Sequence, residues 1–205
     1  LALLVYAAYA RFIEGKPAAD LALPPAAREI ALGALLGAAL MTGSILVLVA
    51  LGVYRAEGLN PLAYMLPAMS MSLSAGVCEE LLFRGVLFRS VEDWLGSWIA
   101  LVVSSLMFGF VHLLNPAGTL LGALYISVEA GVLLAAAYML TRRLWLGIGI
   151  HIFWNYTQSA VFSGIVSGSI TTPGLIKAKV SGPVALTGGD FGFESSVVAF
   201  MFCTC

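Results

Sequence analysis

Glu79-Glu80-Leu81-Leu82-Phe83-Arg84 stands at the end of an apolar run that begins near position 61. Two further strings share its character: Phe108-Gly109-Phe110-Val111-His112 and His151-Ile152-Phe153-Trp154-Asn155. Each sets ionisable or amide groups where hydrocarbon is otherwise expected. Such groups are expensive in a bilayer, so each implies a purpose. Both histidines of the chain fall within these strings.

The surroundings are those of a membrane protein. The chain is 60% hydrophobic and only 10% charged, with a mean hydropathy of +0.99, which a soluble domain does not show. A net charge of -1 offers no basic field, so nucleic acid is excluded as a partner. Crossing a bilayer takes about 20 helical residues, and apolar runs of that order lie at 30–53, 61–83, 95–113, 118–141 and 144–165. Partial runs at 1–13 and 194–205 read as cut spans, so the chain is expected to be truncated at both ends. Pro24 and Pro25, Gly58 to Pro61, Asn115 to Gly118 and Thr141 to Arg143 punctuate the runs as loops. The polar stretch 163–192 is a long loop. Cys78, Cys203 and Cys205 lack the spacing of a zinc ribbon or a disulfide framework. The fold class is therefore all-α, a polytopic transmembrane bundle of about seven to eight spans with a polar intramembrane cavity, forming one membrane-embedded domain over 1–205.

Alternating the spans across the bilayer puts Arg11, Lys16, Arg28, Arg84, Arg89, Arg142 and Arg143 on one side and Arg55, Lys177 and Lys179 on the other. The cation excess makes the first side cytoplasmic, and the cavity is expected to open toward the cytoplasm.

Helical positions four apart share a face. Glu80 with Arg84, Phe108 with His112, and His151 with Asn155 are such pairs. An intrahelical ion pair between Glu80 and Arg84 keeps a buried arginine from being an unpaired ion in low dielectric. Glu79, about 100° round the helix at 3.6 residues per turn, is then free for chemistry. A carboxylate and an imidazole sharing one water can take its proton, deliver the nucleophile to a carbonyl and return the proton to the leaving amine. His112 is the candidate imidazole. His151 and Asn155 supply donors for the oxyanion.

Other polar groups read more plainly. Glu129, four residues after Tyr125, either orients a histidine or hydrogen-bonds a neighbouring helix while protonated, and the second reading is favoured. Cys78 reads as a small packing residue, and Trp94, Trp98 and Trp145 as interfacial anchors.

The ordered set Glu-Glu-x-x-x-Arg, Phe-x-x-x-His and His-x-x-x-Asn resembles the CAAX protease and bacteriocin-processing (ABI) family of intramembrane glutamate proteases over about residues 65–160. The resemblance implies that Glu79 and His112 activate water, that His151 and Asn155 hold the oxyanion, and that Glu80, Arg84 and Phe108 support them, with no cofactor. It implies a CAAX-prenyl-protease-like endopeptidase performing intramembrane proteolysis on a peptide or protein at the lipid bilayer. The Gly188-Gly189-Asp190-Phe191-Gly192 stretch resembles bacterial members, which points to a bacterial inner membrane. Two rivals are a zinc protease in which Glu79, His112 and His151 are the ligands, and a non-catalytic scaffold or bacteriocin immunity protein.

The order of the spans raises a geometric difficulty. A helix over 118–141 is about 35 Å long at 1.5 Å per residue, enough to put His112 and His151 near opposite membrane faces. A shared site requires that helix to tilt, or 115–118 to turn inside the membrane within protein. Separation of the two histidine side chains beyond roughly 12 Å would exclude a site whose members act over ~3 Å.

Overall fold

A computed structural model describes residues 1–170 and 172–204; Cys205 lies outside the described residues. Nearly all the regular structure is helical. A short α1 (Ala2–Phe12) precedes α2 (Ala26–Ala50). α3 (Leu66–Glu80) continues through a π-helical stretch, Leu81–Phe88, into α4 (Arg89–Leu95). After Gly96, α5 (Ser97–Val111) ends in a 3-10 turn, His112–Leu114. α6 (Leu120–Ile126), a second π stretch, Ser127–Val132, and α7 (Leu133–Thr141) form one helical rod. α8 (Trp145–Tyr156) ends in a third π stretch, Thr157–Val161. A short α9 (Val184–Thr187) and α10 (Val197–Thr204) follow.

Among the described residues, three helices are long and apolar enough to cross a membrane, at Ala26–Ala50, Ser97–Leu114 and Leu120–Thr141. They expose leucines such as Leu32, Leu35, Leu46, Leu106, Leu121 and Leu124, as helices facing lipid do. The run expected at 61–83 begins as helix at Leu66 and runs unbroken past Arg84, and this charged middle takes it out of the purely apolar class.

Two regions depart from the all-helical expectation. β1 (Tyr54–Leu59) and β2 (Ile176–Val180) pair antiparallel, Tyr54 opposite Val180, with an irregularity between Ala56 and Gly58. Both strands come from stretches read as loops, where short segments find partners only through the tertiary fold. Trp145, expected at an interface, is buried in the core with Tyr6, Phe88 and Tyr138, and its indole N–H donates to the Ala22 carbonyl at 2.9 Å. Trp94 and Trp98 are exposed, as anchors should be.

Small residues set how closely the helices approach. Gly33 and Gly37, four apart on α2, face α8 so tightly that a Cβ on Gly33 would lie 2.8 Å from Ile150 N and one on Gly37 would lie 3.0 Å from Trp154 N. Apolar lipid supplies no hydrophobic drive between helices, so such close backbone packing holds them together. It fixes the depth of α8, and with it His151 and Asn155.

Candidate active site

The site is built where α3, α5 and α8 converge. Glu79 and Glu80, adjacent in sequence, point to different partners. Glu80 is buried, and its Oε1 accepts from Arg84 Nη1 at 2.8 Å and lies 3.1 Å from His151 Nδ1. Gly147 leaves room for this carboxylate: a Cβ there would sit 2.9 Å from Glu80 Oε2. Arg84 is wholly buried, donates to the Gly131 carbonyl at 3.0 Å, and places its guanidinium 4.5 Å from the Phe108 ring centre. The expected Glu80–Arg84 pair is therefore present, spanning the start of the π stretch.

Glu79 Oε2 lies between the two imidazoles, 4.0 Å from His112 Nε2 and 3.8 Å from His151 Nε2. The sum of these distances bounds the separation of the two nitrogens at about 7.8 Å, well inside the limit set by the sequence argument. Glu79 Oε2 has no hydrogen-bond partner among the described residues. His112 Nδ1 lies 2.7 Å from the Phe108 carbonyl, an acceptor only, so Nδ1 carries a proton and the neutral ring presents an unprotonated Nε2 to Glu79. The spacing of Phe108 and His112 thus acts through the Phe108 backbone as well as through ring contact at 5.1 Å.

Glu79, His112, His151 and Asn155 line one cavity of about 180 Å³, with Ala68, Ser72, Asn115, Ser159, Ser167 and Ser169 among its other walls. The geometric difficulty is met at the 115–118 turn. Asn115 Nδ2 donates to the Ser167 carbonyl at 2.7 Å and Ala117 N to the Gly168 carbonyl at 3.0 Å, so irregular backbone is satisfied by protein.

The cavity adjoins the part of α3 that precedes Glu79. Its walls are α3 before Glu79, the 115–118 turn and the 166–169 segment. Arg89, Arg142 and Arg143 lie at the other end of the bundle, paired with Glu14, Glu92 and Glu29. A motif in mid-helix does not disclose on which side of it the cavity opens.

A residue not anticipated from sequence adjoins the site. Glu194 is buried, and its Oε1 accepts from Trp154 Nε1 at 3.0 Å. Its Oε2 accepts from the Ser167 amide at 2.6 Å and hydroxyl at 2.8 Å. It thereby ties the residue before Asn155 to the segment that covers the His112 turn. A single acid at the head of the apolar run 194–205 was the available signal. Glu129 makes neither expected contact: both its carboxyl oxygens lack hydrogen-bond partners among the described residues. It lines a second cavity of about 30 Å³ with Glu194, His112 and Asn155.

All three π stretches touch this constellation. One contains Arg84, one contains Glu129, and one follows Asn155. Such distortions recur at functional sites because they re-aim side chains that a regular helix would stack.

For the zinc alternative, no group of three or more His, Cys, Asp or Glu among the described residues is arranged to hold a metal ion. The Glu79–His distances of 3.8 and 4.0 Å are looser than the ~3.3 Å between ligands at ~2.0 Å from a tetrahedral zinc.

Residues 61–157 match the family described as type II CAAX prenyl endopeptidase Rce1-like. No curated protein and no solved structure matched the chain. Over those residues the chain is similar to a protease family, and its long apolar helices have the length and composition of membrane spans.

Proposed function

We propose that this chain, which matches the Rce1-like endopeptidase family over residues 61–157, hydrolyses a peptide bond near the end of a membrane-associated protein or peptide, using water activated by Glu79 and His112. The observation that carries the proposal is the unpartnered Glu79 Oε2 facing both imidazoles inside a cavity. At 4.0 Å, Glu79 and His112 are too far apart for a direct hydrogen bond and near enough to share one water.

The proposed steps use the groups that line the cavity. Water gives a proton to the Glu79–His112 pair as its oxygen attacks the carbonyl carbon. The tetrahedral intermediate collapses when that proton passes to the amine nitrogen and the C–N bond breaks. Asn155 donates from its amide to the oxyanion. His151 donates from Nε2 while its Nδ1 faces Glu80, so in this role both nitrogens carry protons and the donor is the imidazolium. Glu79, Glu80, Arg84 and protonated His151 then balance in charge, which a buried cluster needs.

Purified protein incubated with a peptide library, with and without exhaustive chelation, tests this reading. Cleavage that survives chelation is expected. Cleavage abolished by chelation and restored by zinc would transfer the role of Glu79, His112 and His151 to metal ligation, and no cleavage of any peptide would leave the scaffold reading.

A further inference from the structure

Among the described residues, four line both cavities: His112, His151, Asn155 and Ser167. They form a partition, with Glu79 on the side of the larger cavity and Glu129 and Glu194 on the side of the smaller one. The smaller cavity, about 30 Å³, has room for one or two waters at roughly 10–15 Å³ each. Its other walls are mostly apolar, Ile126, Leu133, Leu134 and Ile150 among them. Glu129 reaches it from the π stretch Ser127–Val132, which is pressed onto α5: a Cβ on Gly131 would lie 2.8 Å from Ser105 Cα. Two carboxyls thus stand behind the partition in a chamber whose described walls include no lysine or arginine.

Three of the partition residues are already engaged. His112 turns Nδ1 to the Phe108 carbonyl at 2.7 Å and Nε2 toward Glu79. His151 turns Nδ1 to Glu80 at 3.1 Å and Nε2 toward Glu79. Ser167 gives its amide and its hydroxyl to Glu194. Asn155 differs: the side-chain hydrogen bond that reaches it, from Ser159 Oγ at 2.7 Å, ends on its backbone carbonyl, and its carboxamide has none among the described residues. An amide free to turn over offers an oxyanion either a donor or a repelling oxygen. Keeping Nδ2 toward the larger cavity requires a donor to Oδ1 in the smaller one. Glu194 accepts from Trp154 Nε1 and Ser167, so it is an acceptor there. A second anion beside it would be buried without a counter-ion, so Glu129 keeps its proton and has an O–H to give.

We infer that Glu129 is a positioning residue: its carboxyl O–H donates to water in the smaller cavity, that water donates to Asn155 Oδ1, and the carboxamide is thereby held with Nδ2 facing the scissile carbonyl. This rests on the peptidase reading and adds to it a residue outside the three motifs. A buried acid without partners costs stability, so an apolar side chain of similar size in its place should leave the fold as stable or more so. What it should lose is the alignment of Asn155.

The test compares Glu129→Leu, Glu129→Gln, Asn155→Ala and the double variant Glu129→Leu/Asn155→Ala with wild type, by steady-state kinetics on the best library peptide and by thermal unfolding. Glu129→Leu is expected to unfold no lower than wild type and to lose about 10 to 100-fold in kcat at unchanged KM, as when a partner that orients a working side chain is removed. Glu129→Gln, which keeps the size and a donor, is expected to recover most of that loss. In the Asn155→Ala background Glu129→Leu should cost nothing further, because the group it aligns is gone. Wild-type kcat in Glu129→Leu, or a loss that multiplies with that of Asn155→Ala, overturns the proposal. Infrared spectra supply a readout without turnover: the C=O stretch of a protonated carboxyl, missing from Glu129→Gln and displaced in Asn155→Ala. Absence of that band from wild type, or a band that Asn155→Ala leaves in place, also overturns it. A wild type that cleaves no peptide removes the peptidase reading, and the infrared band still decides whether Glu129 is bonded toward Asn155.

Discussion

Replacing Glu80 by Ala strips the counter-ion from a guanidinium that has no exposed surface. Arg84 would keep only the Gly131 carbonyl, a longer contact to Ala130 O at 3.5 Å and the Phe108 ring, and its Nε already lacks a partner. Removing one member of a buried pair typically costs about 3–5 kcal/mol, because the remaining charge is stranded in low dielectric. Against a total stability of about 5–15 kcal/mol, that is a large share. The size scaling for chains of 150–250 residues converts it to a melting-point drop of roughly 6–20 °C. The double variant Glu80→Met/Arg84→Met removes both charges and fills the volume, so it should recover most of the loss. Thermal unfolding of the three purified proteins in one detergent measures this. Neither variant should be active, since His151 loses the acceptor at its Nδ1 in both. Equal melting points for Glu80→Ala and wild type, or a double variant no more stable than the single, would refute the assignment of Glu80 as the partner that lets Arg84 be buried.

Asn155→Ala should lower kcat by about 100 to 1000-fold with little change in KM, the mark of a donor used only in the transition state; steady-state kinetics on the best library peptide decides this. Glu194→Gln retains the acceptor for Trp154 Nε1 but brings an amide donor toward the Ser167 amide and hydroxyl. It should raise KM and loosen the covering segment, seen as faster proteolytic nicking near 163–170, and Glu194→Asp should restore less than wild-type behaviour. At the cation-rich end, the Lys16 ammonium donates to Asp93 and holds its carboxyl below the usual range. The folded value is thus depressed relative to the unfolded one, so this pair supports the fold above the ordinary aspartate pKa and is lost only as pH falls through the lower folded value. Carboxyl titration by NMR in wild type and Lys16→Ala should show Asp93 returning upward in the variant.

What the sequence disclosed and what it hid divide along physical lines. The Glu80–Arg84 pair and the Phe108–His112 relation are separated by one helical turn, so periodicity alone exposes them. Long apolar runs likewise marked the helices of the bundle. Contacts between distant segments leave no such trace: Glu80 reaching His151, Glu194 holding Ser167, and β1 pairing β2 across more than a hundred residues arise only when the helices are packed. Trp145 misled because an indole at a helix end suits either an interface or a core with a carbonyl to accept its N–H, and here Ala22 supplies that carbonyl. The three π stretches were also hidden, since a single inserted residue per turn changes which side chains stack without altering the hydrophobic pattern.

The measurement that bears most directly on the account is the cleavage rate of Glu79→Gln beside wild type, at matched melting temperature and in the same lipid. The isostere keeps the size of Glu79 while removing the group between His112 and His151 that takes a proton from water. The rate is expected to fall by at least about 100 to 10,000-fold, the usual contribution of a positioned general base. Undiminished cleavage by the folded Gln variant would contradict it.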